Sequence, residues 1–519
     1  MGRRWTLTLS LVVTGAVLAS AVAAGARVRG AGGVPTAKAD PKGILRIATD
    51  LSTFGGPSFD PITTKGSPLD FDWDAPMYDT LVHVAKDGSF APGLATSWKI
   101  RDAQTVELQL RKNVTFHDGT PFNSDAVKAG LLRSLDSNNR AMPESFFALE
   151  SVDATSPLSV TLHLREPAMD SFFPTLHSLA TFIPSPAAIS KGDLATHPVG
   201  AGPFTFESLT TEQKLSERKW SGYWNAKAIR FAGLDFIQTA TGPSTVNALL
   251  TDQVDLVTLS NTADAKAVGG RAGVKLFEQP SPANTYLITM CLSKPPFDKL
   301  KVRQAIAHAV DRTAINQGAL DGLGFPSPLP VRQGSQFYFP DLARKNAHDP
   351  KLAKRLLKQA GATNLTFEFL EPPVPSFLRV AEVVQGELKE VGVDAKIVQS
   401  TNVVQDLFID NKAPAAVLYT TSAGLPGLLP YLGSEGLANL CHYKNAKVDQ
   451  AVAQIQSSLG DNAKLMAGWR QLEATLVNDL PLVFLASPTV VLGLQDRVHG
   501  VNQIFESGGT NLEGVYLTK

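Results

Sequence analysis

A single stretch, LQLRKNVTFHDGTPFNSDAVKAGLLRSL (108–135), constrains this chain more than its composition does. Just before and within it, Val106, Leu108 and Leu110 alternate with polar residues, the period-two pattern of a strand with one buried face. Asp118-Gly119 supplies a tight turn, because glycine accepts the left-handed backbone at little steric cost. Asn123 or Ser124 then offers a capping oxygen to a helix that begins near Asp125. A chain that passes from strand through turn to capped helix in so few residues is a mixed α/β chain.

The same grammar runs along the rest of the sequence. GILRIATD reads as a short strand of a mixed sheet, and DFDWDAPMYDTLVHV as a helix over 71–82. STVNALLTDQVDLVTL is a helix followed by a strand, and KLKVRQAIAHAVDRTAI reads as one amphipathic helix. Further on, DPKLAKRLLKQAG, LTFEFLEP, FLRVAEVVQGELKEVGV and AKIVQS give helix, strand, helix, strand, the pattern of a sheet covered by helices. No internal repeat is present.

The N-terminus has the order of a secretory signal. Arg3 and Arg4 precede an apolar run from Trp5 to about Ala23, which ends in the small residues Ala21-Val22-Ala23 and Ala24-Gly25-Ala26. This predicts a mature chain beginning between Ala24 and Arg27, or a membrane anchor if the run is not cleaved. The Gly-, Ala- and Lys-rich residues 27–42 read as a disordered spacer. The 48 basic and 48 acidic residues balance, which argues against a nucleic-acid or anionic-membrane partner.

Five further stretches follow in order: FAPGLATSWKI (90–100), VGAGPFTFE (199–207), WSGYWN (220–225), PPFDKLKVRQAIAHAVDR (295–312) and LVNDLPLVFL (476–485). Together with the opening stretch they resemble the family 5 extracytoplasmic solute-binding proteins of ABC importers, which include oligopeptide, dipeptide and nickel receptors. The resemblance implies an α/β fold of the periplasmic binding protein type II kind (cluster C), with two hinged lobes and an inserted extra domain. The residue pattern above sets the signal peptide at 1–26 and the spacer at 27–42. The first lobe is expected at 43–85, 198–283 and 495–519, the inserted domain at 86–197 and the second lobe at 284–494. No cysteine stands directly after the apolar run, so the lipid tether of many relatives is not expected and a free periplasmic monomer is. Its partners would be a permease with separate ATPase subunits. The two cysteines, Cys291 and Cys441, survive into an oxidising compartment and are candidates for a disulfide, with two buried thiols as the alternative.

Motifs for catalysis are missing. The sequence has no phosphate-binding loop, dinucleotide fingerprint, Gly-x-Ser-x-Gly elbow or His-Glu-x-x-His pair. His83, His117, His163 and His177 read as ordinary strand, turn or helix surface, and His442 beside Cys441 as structural. Neither an enzyme, a cofactor nor a metal site is expected. Trp98, Phe116, Gly119, Phe122, Trp220, Tyr223, Trp224, Arg303 and Asp311 carry the resemblance and are expected to hold structure.

Candidate ligand residues follow from the resemblance and from local chemistry. Phe54, Gly55 and Ser58 lie in a Gly/Pro-rich loop after the first strand, and Trp73 on the next helix offers an aromatic wall. Asn284 and Tyr286 stand at the crossing into the second lobe. Tyr419, Thr420, Thr421, Ser422 and Gly424 lie where a strand gives way to a loop, with hydroxyls and backbone amides for a polar solute. Peptide-binding relatives carry an aspartate in this loop that pairs with the α-ammonium of the ligand. Here no acid occurs until Glu435. This departure shifts the expected ligand toward a neutral or anionic solute such as an opine, a sugar or a metal chelate, or toward a peptide gripped in another way. A transport-independent sensor or chaperone is the remaining alternative. Arg379 is expected in a salt bridge to Glu382 or in solvent.

Overall fold

The computed structural model describes residues 27–29, 38–52, 57–63, 68–85, 90–137, 144–240, 242–259, 261–280, 284–420, 424–433, 436, 438–458, 461–502 and 511–519. The signal segment 1–26 lies outside the described residues. Among the described residues, no helix is long and apolar enough to cross a membrane.

The first sheet is mixed and eight-stranded. Its order is Arg27–Arg29, Val274–Pro280, Thr489–Gln495, Leu256–Leu259, Ile44–Thr49, Gly233–Gln238, Lys214–Lys219 and Phe204–Thr210. Two points differ from expectation. Arg27–Arg29, read as disordered spacer, pairs antiparallel with Leu276 to Glu278, because an edge strand offers a row of unpaired backbone groups. Thr489–Gln495, assigned to the second lobe as far as Leu494, lies between two first-sheet strands and is antiparallel to both. The crossing between sheets therefore falls at 487–489.

A four-stranded antiparallel sheet, Ala95–Asp102, Thr105–Leu110, Ser159–Leu164 and Leu149–Ser156, lies between the first-sheet segments in sequence. Val106, Leu108 and Leu110 face its core together with Val127 and Leu131 of the helix Ser124–Ser137. Asn123 caps that helix through a bond from the Ala126 N–H to its Oδ1 of 2.9 Å, and Gly119 holds the turn at φ 83°.

Asp79 joins this sheet to the first. The expected helix over 71–82 spans Pro68–Tyr78 and is followed by the strand Val82–Val84. It ends there because Asp79 adopts a left-handed φ of 63° and its buried carboxylate accepts from Thr80 N (2.7 Å), Tyr223 Oη (3.1 Å) and Trp224 Nε1 (2.9 Å). The His83 ring, 2.5 Å away, completes the set. Nearby, Arg133 grips Asp60 with two bonds of 2.6 Å. The histidines expected at the surface are partly interior. His83 pairs with Asp79, while His117 and His177 are buried enough to hold each at a pKa of about 4. Desolvation disfavours the cation, and the acceptors Gly202 O and Val82 O only partly offset it.

The second sheet has the order Phe325–Pro326, Leu482–Ser487, Tyr286–Met290, Ala415–Tyr419, Leu365–Glu371 and Val393–Gln399. Ile288, Phe369 and Val417 point into one apolar layer, and Leu287, Leu370 and Leu418 into the other, so helices cover both faces. The single amphipathic helix expected near 300–315 is two, Leu300–Ala309 and Arg312–Ala319. The break comes at Val310, and Asp311 caps the second helix by accepting from Thr313 N at 2.8 Å. Arg303 is buried and donates to the carbonyls of Phe297 (2.7 Å) and Asp479 (2.8 Å). Cys291 and Cys441 are joined in a disulfide with their Cα atoms 5.3 Å apart, stapling the far end of the Tyr286–Met290 strand to the turn Leu440–His442.

Candidate ligand site

The second sheet contains the geometry that makes a binding crevice. The strands Leu365–Glu371 and Val393–Gln399 are parallel and joined by the helix Pro375–Glu390, which packs into one apolar layer. From Val393–Gln399 the chain passes to the other side of Leu365–Glu371 to form Ala415–Tyr419, through a segment whose Leu407 packs into the opposite layer. The connections leave in opposite directions on opposite faces. Such a reversal opens a crevice at the carboxyl ends of the strands, the usual ligand position in an α/β sheet.

Several candidates meet at that edge. Tyr286 and Tyr419 stand opposite one another on paired strands, with ring centroids 5.9 Å apart and nearly perpendicular. Phe377, from the first turn of the Pro375–Glu390 helix, stacks on Tyr419 at 4.8 Å and meets Tyr286 edge-on at 5.8 Å. Burial raises the pKa of both tyrosines above the usual phenol range, so their hydroxyls stay neutral donors at physiological pH. Thr420 is buried, accepts from Thr285 N at 3.0 Å and returns its own N–H to Thr285 O at 3.1 Å. The Thr285 hydroxyl lies 2.8 Å from that of Ser487, which ties together the two strands where the chain crosses between sheets. Asn284, half-buried, immediately precedes this clasp.

Other candidates fall elsewhere. Trp73 is 1 % exposed within the first-sheet core, a packing position rather than an open aromatic wall. Ser58 turns its hydroxyl to that of Thr63 at 2.7 Å. Gly424 is exposed at φ 64° and begins the helix Gly424–Leu432. Phe54, Gly55, Thr421 and Ser422 lie outside the described residues. Arg379 pairs with Asp321 at 3.3 Å rather than with Glu382.

Sequence reasoning missed Phe377 and Glu371. Both flank Pro372 and Pro375 at the end of a strand, and a carboxyl-edge loop of that kind was the available signal. The Glu371 Oε1 accepts from Val417 N at 2.7 Å, whereas its Oε2, also buried, has no hydrogen-bond partner among the described residues. Burial pushes the Glu371 carboxyl up to about 8, with the Val417 bond opposing. Among the described residues no group of three or more His, Cys, Asp or Glu could hold a metal ion. A separate groove of about 710 Å³, lined in part by Asp311, Arg312, Gln333, Tyr338 and Arg344, holds none of the candidate ligand residues.

The bodies touch across the sheets. Asp321 of the second accepts from Thr262 and pairs with Lys266 of the first at 3.5 Å. The Thr489 hydroxyl donates to Leu323 O, and the helix Ala446–Gln456 packs against Met169–Phe172 beside the four-stranded sheet. Cleft-edge aromatics, two crossings and contacts between the bodies are the parts of a hinged receptor.

The family model for bacterial extracellular solute-binding proteins, family 5 (middle), matches residues 89–433. This chain belongs to that family. The glutathione-binding protein GsiB of Pectobacterium atrosepticum is 26 % identical over 446 residues, which cover 82 % of this chain and 85 % of that protein. In fold, HbpA2 from Haemophilus parasuis superposes with a TM-score of 0.79 at 23 % identity, over 92 % of this chain and 100 % of that one. AgaA from A. tumefaciens R10, solved with agropinic acid, gives 0.74 at 22 %, over 92 % and 99 %. The fold is therefore the type II periplasmic binding protein fold with an inserted domain. As a family 5 solute-binding protein, the chain is the receptor component of an ABC importer.

Proposed function

We propose that this receptor captures a short peptide-like solute, with glutathione the first candidate, between two lobes and presents it to a permease. The observation that carries this reading is the aromatic cluster at the carboxyl edge of the second sheet, beside its reversal of strand order. There Tyr286, Phe377 and Tyr419 offer apolar faces beside the Thr285 and Thr420 backbone, a combination suited to a small amphipathic ligand. The glutathione-binding relative supports the choice because its match runs over most of both chains. One lobe would comprise 43–85, 198–283 and 489–519 with the inserted domain 86–197, and the other 284–488. Residues 1–26 would direct export, and the protein would act as a monomer with separate permease and ATPase subunits.

A second reading is an opine or other anionic solute. It is favoured by the run Tyr419 to Gly424, which contains no acid, and by the fold neighbour solved with agropinic acid. Thermal unfolding of ligand-stripped protein against glutathione, tripeptides, opines and sugars separates the two. Saturating ligand at a hundred times its dissociation constant adds ~2.7 kcal/mol to stability. Stabilisation by glutathione or tripeptides supports the peptide reading, and stabilisation by opines alone replaces it.

A further inference from the structure

The chain lacks an acid in the loop where its peptide-binding relatives would carry one, yet an unused acid stands one strand away. Glu371 ends the strand Leu365–Glu371 at the point where that strand parts from Ala415–Tyr419. The two are paired at Phe369 and Ala415, and two residues further on the Glu371 side chain, instead of a backbone carbonyl, takes the Val417 N–H at 2.7 Å. The carboxylate thus fills the fork between the diverging strands, at the reversal of strand order described above. Phe367 and Phe369 point into the layer that holds Val417 and receives Tyr286, Tyr419 and Phe377, and strand alternation sends Glu371 to the same side.

A fully buried carboxyl with one oxygen satisfied and the other unmatched is costly unless it serves something. Among the described residues no basic side chain perturbs it; burial and the Val417 N–H bond set its state. On the neighbouring helix Arg379 turns to Asp321 and Glu387 accepts from Asp311 N. Beyond Ser400, Asp406 is held by Lys412. Among the described residues, the titratable groups at this edge include the phenols Tyr286, Tyr419 and Tyr431, the last donating its hydroxyl to Tyr419 O at 2.7 Å.

We propose that Glu371 is the acidic anchor of the ligand site, its Oε2 accepting a hydrogen bond from a primary ammonium group of the solute. The inference rests on the solute-receptor reading given above and narrows it to ligands that carry a free amine. Phe377 and Tyr419 belong to the same body as Glu371, so the amine reaches the fully buried Oε2 by a shift of side chains within that body, not by parting of the lobes alone. A carboxyl kept protonated by burial loses its proton when the ammonium arrives, because a cation at contact distance favours the charged form.

The test uses the mature protein and the variant Glu371→Gln, which keeps an acceptor for Val417 N but carries no charge. Binding of glutathione, trialanine, their N-acetyl forms and agropinic acid is followed by calorimetry in two buffers of different ionisation enthalpy at pH 7. Wild type is expected to bind a free-amine probe at least tenfold more tightly than its acetylated form and to release close to one proton. In the variant both the preference and the proton release should vanish, while its melting temperature without ligand stays level or rises. Equal binding of amine and acetylated forms by wild type, or an unchanged preference in the variant, overturns the proposal. Binding of agropinic acid without any free-amine preference overturns the anchor yet leaves the solute-receptor reading standing. Silence toward every probe counts against both.

Discussion

Removing the disulfide should cost stability in the second-sheet body and leave the ligand site intact. Cys291 and Cys441 are 150 residues apart, and a cross-link closing a loop of that length removes about 5 kcal/mol of unfolded-chain entropy. The bridge sits at the end of the Tyr286–Met290 strand remote from Tyr286, and both cysteines belong to the body of one sheet. Opening the lobes does not stretch it. The variant Cys291→Ala/Cys441→Ala avoids placing a hydroxyl in a core where Cys291 is fully buried. Because a chain of several bodies need not unfold in one step, the assay is hydrogen exchange of the Tyr286–Met290 and Ala415–Tyr419 amides, with exchange of the four-stranded sheet as internal control. The expected loss, about 5 kcal/mol, is a factor of several thousand in the opening equilibrium. Protection in the four-stranded sheet should not change, and the ligand affinity of the surviving folded protein should stay within about twofold. A loss below ~1 kcal/mol would refute the loop-entropy argument, and a loss of affinity without a loss of protection would refute the separation of staple from site.

Other outcomes follow from the same geometry. Asp79→Asn should cost ~3–5 kcal/mol, because it strips a buried carboxylate from His83, Tyr223 and Trp224. Despite opposing burial, the pair raises the His83 pKa and lowers that of Asp79. The His83 contribution is therefore complete below about pH 6.5 and fades as pH rises through its folded value, and the Asp79 contribution is complete above about pH 3.9 and is lost as pH falls through its folded value. A melting-temperature profile should show a bonus between those limits that Asp79→Asn abolishes; a variant with an unaltered profile would contradict it. Tyr419→Ala should weaken ligand binding by about tenfold, by removing an aromatic contact of ~1 kcal/mol or more, whereas Trp73→Phe should lower stability and leave affinity unchanged; titration of both variants checks the contrast. Asp321→Ala removes contacts to Thr262 and Lys266 across the sheets, so apparent affinity should fall a few-fold with little change in melting temperature, which calorimetry would register.

Local rules were legible where one residue does one job. The alternation at 106, 108 and 110, the Asp118-Gly119 turn and the Asn123 cap could all be anticipated from side-chain chemistry. Helix ends were less legible. Apolar periodicity continues unbroken through Val310 and past Tyr78, and the stops are set by Asp311 capping its own helix and by the contacts that draw Asp79 into a left-handed turn. The candidate site was half legible. Tyr286 and Tyr419 announce themselves as aromatics at strand ends, but Phe377 and Glu371 join them only because the chain reverses its direction of winding around Leu365–Glu371, and no window of sequence carries strand order. Trp73 shows the converse, since an aromatic on a helix near a ligand loop looks the same in sequence whether it lines a cleft or fills a core.

The central claim is that the two lobes close on a small solute at the carboxyl edge of the second sheet. Small-angle scattering of the ligand-stripped protein, recorded with and without saturating glutathione, tests it most directly, with opines as a second arm. A saturable decrease in radius of gyration is expected with a ligand of one of these classes, with its midpoint moved to about tenfold higher ligand concentration in Tyr419→Ala. A ligand that binds tightly without compacting the protein, or that compacts wild type and Tyr419→Ala alike at equal affinity, would contradict it.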